Sequence, residues 1–109
     1  MRGLKTTITQ IKIDTVIIRI VKMTFNPQEV QSFLTLFNEN KNKIAGFEGC
    51  THLELLNDIN TPNIYFTYSY WKDESYLEAY RNSDLFKGVW QATKKLFADK
   101  PQAWTVKRV

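Results

Sequence analysis

Residues 51–71, THLELLNDINTPNIYFTYSYW, decide the fold. In the first part Thr51, Leu53 and Leu55 alternate with His52, Glu54 and Leu56, the two-residue period of a strand whose two faces differ. Asn57 to Asn63, with Asp58, Asn60 and Pro62, has the composition of a hairpin loop. Ile64 to Trp71 follows as a second strand dense in rings, so residues 51–71 predict an antiparallel hairpin.

Outward from this hairpin, the chain repeats one plan on each side. On the N-terminal side Val16, Ile17, Ile18, Ile20 and Val21 form a β-branched run interrupted by Arg19 and Lys22, which reads as a central strand. Asn26-Pro27-Gln28-Glu29 has the residues of a helix start, with Asn26 expected to accept orphan N–H groups and Glu29 to reach back. Val30, Phe33, Leu34, Phe37 and Ile44 then keep the helical period up to Gly46.

On the C-terminal side Asp73 is expected to cap a short helix through Tyr80, with a break at Arg81-Asn82. Ser83 is expected to cap a second helix. Leu85, Phe86, Val89, Trp90, Leu96 and Phe97 keep helical spacing, Pro101 marks the stop, and Trp104 to Val109 reads as a last strand. Residues 1–14 alternate only weakly, as either a flexible tail or an added edge strand, and the domain proper runs from 15 to 109.

A hairpin between two strand–helix–strand connections, with right-handed crossovers, predicts an α+β, ferredoxin-like βαββαβ antiparallel sheet with its helices on one face. Arg19, His52, Glu54 and several rings are then expected together on the uncovered face. An apolar sheet face of that size is rarely left in water, which predicts a homodimer packed face to face and enclosing a barrel. A pocket at its centre would be lined by rings and a few polar groups.

Composition narrows the function. The 109 residues, 43% hydrophobic and 14% aromatic, suffice for one domain. No apolar run approaches the roughly 20 residues needed to cross a bilayer, and residues 1–14 lack the apolar core of a signal peptide, so no membrane partner and a cytoplasmic location are expected. Cys50 alone can form neither an intramolecular disulfide nor a zinc site. The net charge of +4 is spread among acids, with only Lys94-Lys95 and Lys107-Arg108 as clusters, which favours a solvated surface over a nucleic-acid interface.

With the elements in place, the segments Gly46 to Leu56, Tyr68 to Trp71 and Tyr80 to Lys87 (YRNSDLFK), together with the Asn-Pro helix start, resemble the antibiotic biosynthesis monooxygenase (ABM) domain, a dimeric α+β barrel. The resemblance covers about residues 16–109 and implies cofactor-free oxidation of a phenol- or hydroquinone-like substrate by O₂. Such chemistry needs a base, a group that stabilises the substrate anion and a water-poor aromatic pocket. The four glycines form no phosphate-binding loop, so no flavin or nucleotide cofactor is expected. Haem-degrading relatives carry Trp where this chain has Tyr80, a haem-ligating His where it has Trp90 and Asn where it has about Val21, so all three positions depart.

His52, the only histidine, is the candidate base, with Glu54 as its partner; the plain alternative is a hydrogen-bonded strand residue. Arg19 is expected to meet either Glu54 or an anionic substrate, since an unpaired buried guanidinium is costly. Tyr68, Tyr70, Trp71, Tyr80, Phe86 and Trp90 are candidate pocket walls, or else plain core. The competing functions are an oxygenase and a non-catalytic barrel that binds a small hydrophobic ligand.

Overall fold

The computed structural model of the protein describes residues 15–109, so the expectation for residues 1–14 lies outside the described residues. The elements are β1 (Ile17–Thr24), α1 (Val30–Ala45), β2 (Cys50–Asn57), β3 (Ile64–Trp71), α2 (Glu74–Arg81), α3 (Asp84–Lys94) and β4 (Gln102–Val106). The four strands form one antiparallel sheet in the order β2-β3-β1-β4, the expected ferredoxin-like arrangement. Among the described residues no helix is long and apolar enough to cross a membrane.

Local chemistry explains most boundaries. The Asp58 carboxylate accepts from the N–H groups of Asn60 and Thr61, both at 2.8 Å, and so folds the hairpin loop. Asp73 accepts from the N–H groups of Ser75 and Tyr76 at the start of α2, and Ser83 accepts from Phe86 N–H at the start of α3. Gly49 enters β2 at φ +89°, and a Cβ there would run into the Tyr76 ring, so this turn requires glycine.

Three boundaries differ from the expectation. Asn26 makes no side-chain cap; its Nδ2 donates to the Phe97 carbonyl at 3.2 Å, and a 3₁₀ turn over Pro27–Glu29 leads into α1 instead. The last helix stops at Lys94, because the next residues join the sheet edge. Phe97 bridges Phe25, and Ala98 N–H donates to the Thr24 carbonyl at 2.9 Å. Leu96 and Phe97 thus keep their apolar contacts outside the helix. The final strand begins at Gln102 and ends at Val106.

The helices bury one face of the sheet. Met23, Phe25, Phe33 and Tyr65 form one cluster, and Ile17, Trp71 and Leu77 a second. Phe25 and Phe33 stack with centroids 4.1 Å apart. The fully buried Trp71 satisfies its indole N–H by donating to Ser69 Oγ at 3.0 Å.

Register also corrects the expected content of the two faces. Arg19 lies opposite Ser69 in β3 and Thr105 in β4, and Ser69 lies opposite Leu53 in β2. Residues directly across an antiparallel pair share a face, so Arg19 belongs to the helix-covered side with Leu53, Ser69 and Trp71. His52 lies opposite Tyr70 and Glu54 opposite Tyr68, which puts all four on the uncovered side. The run 16–21 is apolar on both faces, and nothing in it marks which parity the helices cover.

Candidate functional site

Between the helix-covered face and the three helices lies a cavity of about 240 Å³. The sheet supplies Arg19, Val21, Leu53, Thr67 and Ser69 as its floor. Its aromatic wall is continuous. Trp71 stacks on Tyr80 at 4.9 Å, Tyr80 meets Phe86 edge-on at 5.2 Å, and Phe86 stacks on Trp90 at 5.9 Å. The expected residues Arg19, Trp71, Tyr80, Phe86 and Trp90 therefore line one space.

Arg19 is the polar centre of that space. Its Nη1 donates to Thr105 Oγ1 at 2.8 Å, and among the described residues no carboxylate lies within ion-pair distance. The alternative pairing with Glu54 is thereby ruled out: Glu54 sits on the other face beside His52. Burial, and secondly the charge of Arg81, draw the Arg19 guanidinium below its ordinary value; arginine still remains a cation at neutral pH. The Tyr80 phenol is pushed up to about 12 by burial and then by Cys50, so it is a neutral hydroxyl in the cavity wall. Burial likewise raises the Cys50 thiol.

Arg81 was not singled out as a site residue by the sequence; it marked only a helix break. The side chain sits at the exposed end of α2 and reaches the same cavity. The only signal for it was its place directly after Tyr80. Among the described residues lining the cavity no Asp, Glu, His or Lys occurs, so the two guanidiniums are its only charges. No group of three or more His, Cys, Asp or Glu capable of holding a metal ion occurs among the described residues.

The uncovered face carries the remaining candidates. His52 Nε2 and Glu54 Oε2 are 3.5 Å apart, both side chains 45% exposed. His52 packs on Tyr70 at 5.1 Å, and Tyr70 on Tyr68 at 5.6 Å. Arg108 lies 5.2 Å over the Tyr70 ring and donates to its hydroxyl at 3.3 Å. The hydrogen bond with Tyr70 is the first cause that raises the Tyr68 phenol. None of these side chains reaches the cavity.

The family model for antibiotic biosynthesis monooxygenase matches residues 16–92. The chain belongs to this family. Membership supports a general monooxygenase-like role for the ABM domain described here. No curated protein matches the chain. Among solved structures, a conserved protein from Methanosarcina mazei Go1 is similar at TM-score 0.86 and 21% identity, over 92% of this chain and 99% of the other. A putative antibiotic biosynthesis monooxygenase from Caulobacter crescentus CB15 follows at TM-score 0.82 and 17% identity, over 94% and 98%. Another from Nitrosomonas europaea has TM-score 0.82 at 11% identity, over 88% and 92%. At these identities the likeness is one of fold. In the haem-degrading pattern a ligand His would replace Trp90; here that position is an indole stacked on Phe86.

Proposed function

We propose that this ABM domain oxidises a small phenol- or hydroquinone-like substrate with O₂ inside the helix-covered cavity. The observation that carries this reading is Arg19, a half-buried cation without a carboxylate partner among the described residues, facing a pocket walled by Trp71, Tyr80, Phe86 and Trp90. A guanidinium in low dielectric stabilises the anion of a bound substrate far more than water does. That anion passes one electron to O₂, and the resulting radical and superoxide join at a ring carbon. Loss of water from the peroxide leaves a quinone. One oxygen atom enters the product, the other leaves as water, and the substrate supplies all the electrons.

No base lines the cavity among the described residues, since His52 and Glu54 lie on the opposite face. The proton is therefore released to water, from a substrate acidified by Arg19. Tyr80, held neutral, can donate a hydrogen bond to an oxygen of the substrate. The same lack of a base is the one feature that favours a non-catalytic binder of small aromatic ligands.

Oxygen uptake separates the two readings. A panel of hydroquinones, phenols and anthrones is incubated with the protein under ¹⁸O₂. The oxygenase predicts one labelled atom in the product and loss of turnover in Arg19→Gln. Saturable quenching of tryptophan fluorescence without uptake on any substrate leaves the binder and sinks the oxygenase.

The uncovered face supports a homodimer. Leu56, Trp104 and Val106 stand there more than two-fifths exposed, beside the Tyr68–Tyr70 pair, and joining two such faces buries them. Light scattering should give twice the chain mass for the native protein and a monomer for Trp104→Glu. A native monomer at micromolar concentration would refute the dimer.

A further inference from the structure

Two guanidiniums and no carboxylate, histidine or lysine line the cavity among the described residues. Arg19 rises from the middle of β1 at the floor, whereas Arg81 stands at the exposed end of α2, at the rim. Among the described residues the one carboxylate within ion-pair distance of Arg81 is that of Glu78, 4.0 Å away and one helical turn back on the solvent side, an exposed pair of little strength. Arg19 spends one N–H on a neutral hydroxyl, that of Thr105. Each guanidinium has five N–H donors in a planar fork, so both retain donors for a ligand. The space between them is walled by Trp71, Tyr80 and Phe86.

A substrate with a single ionised oxygen answers only one of these cations. The other, Arg81 at the partly exposed rim, would keep its remaining donors without an anion from the ligand, beside a like charge. A ligand with two separated anionic groups on one flat ring system satisfies both, and charge-assisted contacts at each end fix which ring carbon faces the space left for O₂.

We propose that the substrate is an aromatic hydroxy acid, its ionised hydroxyl held at Arg19 and a carboxylate held at Arg81 at the rim. This rests on the cavity assigned above as the reaction site, and it adds the acid group that selects the substrate. The carboxylate itself takes no part in electron transfer to O₂; it orients the ring. Arg81 is thus a specificity residue that contacts the substrate away from the reacting carbon.

The test uses ligands that need not react, so that its failure is distinct from failure of the oxygenase reading. Binding of 2-naphthol and of its carboxylated analogue 6-hydroxy-2-naphthoate, whose two groups lie at opposite ends of the ring system, is titrated by quenching of tryptophan fluorescence. In the native protein the acid should bind about tenfold or more tighter than the naphthol, the worth of one charge-assisted contact. Arg81→Gln should abolish that preference while leaving naphthol affinity within about twofold, and Arg81→Lys should restore part of it. The substitution lies on an exposed helix end and leaves the core intact. Equal affinities in the native protein overturn the proposal, as does a preference that survives Arg81→Gln and vanishes only in Arg19→Gln. Neither result bears on whether an uncharged hydroquinone is oxidised.

Discussion

The two faces of the sheet are built from the same four strands, yet they treat charge in opposite ways. On the uncovered face His52 stands beside Glu54, and Arg108 rests on the ring of Tyr70 and bonds its hydroxyl. Every candidate polar group there has a neighbour of suitable chemistry within the chain. On the covered side, among the described residues, Arg19 has only a hydroxyl and Arg81 only a distant, solvent-side carboxylate. Folding normally removes an unpaired charge from a low-dielectric space. Where one is kept, the missing partner is expected from outside, and on that ground the covered side is the one proposed for a ligand and the uncovered side the one proposed for a second copy.

The largest expected effect probes packing on each side. Trp71, 1% exposed, stacks on Tyr80 and holds Ser69, so Trp71→Ala should cost about 3–5 kcal/mol in denaturant unfolding. That loss should not depend on protein concentration. Tyr70→Ala, one residue away on the other face, should cost under about 1 kcal/mol in dilute solution. Its cost should grow with concentration if the face joins two subunits. Equal costs for both, at every concentration, would erase the distinction.

Arg19→Gln comes next. Removing the guanidinium should lower substrate oxidation about 100-fold, the usual loss when one preorganised oxyanion partner is taken away. Stability should stay level or rise, since the native protein bears the desolvation of a charge with no carboxylate among the described residues to offset it. A large fall in stability with unchanged turnover would turn Arg19 into a structural residue and remove the ligand site from the covered face.

These two variants also mark where the sequence could be read and where it could not. Element order, the hairpin at 51–71 and the caps at Asp73 and Ser83 follow from local rules: a period of two or 3.6 and side chains that bond their own backbone. The pairing of Phe86 with Trp90 follows too, because helical spacing gathers the two on one side of α3; Tyr80 joins them from α2, across the break. The face of Arg19 did not follow. It depends on the pairing Arg19–Ser69, a contact across 50 positions of chain, and β1 is apolar on both sides. Arg81 was invisible for another reason: its role comes from where α2 ends over the sheet, not from any spacing in the sequence. His52 stood out only as a residue type.

A smaller effect tests the dryness of the cavity. Tyr80 ionises near 10 in the unfolded chain and at about 12 in the folded one. The fold thus favours the neutral phenol. This contribution is present in full below pH 10 and is lost as pH rises from there through about 12, where the unfolded state has already released its proton. Tyr80→Phe removes the term. Unfolding free energy should then fall less steeply over that interval, by roughly 2 kcal/mol in total. Near neutral pH the variant should lie within about 1 kcal/mol of the native protein, since the Phe ring keeps the contacts with Trp71 and Phe86. An unchanged alkaline slope would mean that water reaches the hydroxyl freely, and the cavity would lose the low dielectric on which Arg19 depends.

The smallest effect is expected where the sequence drew most attention. His52→Ala removes the only histidine of the chain, yet oxidation should stay within about twofold, because the imidazole lies on the other side of the sheet from Trp71 and Arg19. What should change is association. The pair with Glu54 is 45% exposed in the single chain, and losing the imidazole leaves a carboxylate on a face that a second copy would cover. Dimer dissociation measured by light scattering should shift by about tenfold or less, as for one solvent-exposed polar pair. A fall of 100-fold or more in turnover, with the dimer intact, would place the base on the uncovered face and require a proton path through the sheet. Loss of both turnover and dimer together would instead tie the cavity to the interface, since helix-facing and interface residues alternate along the same strands.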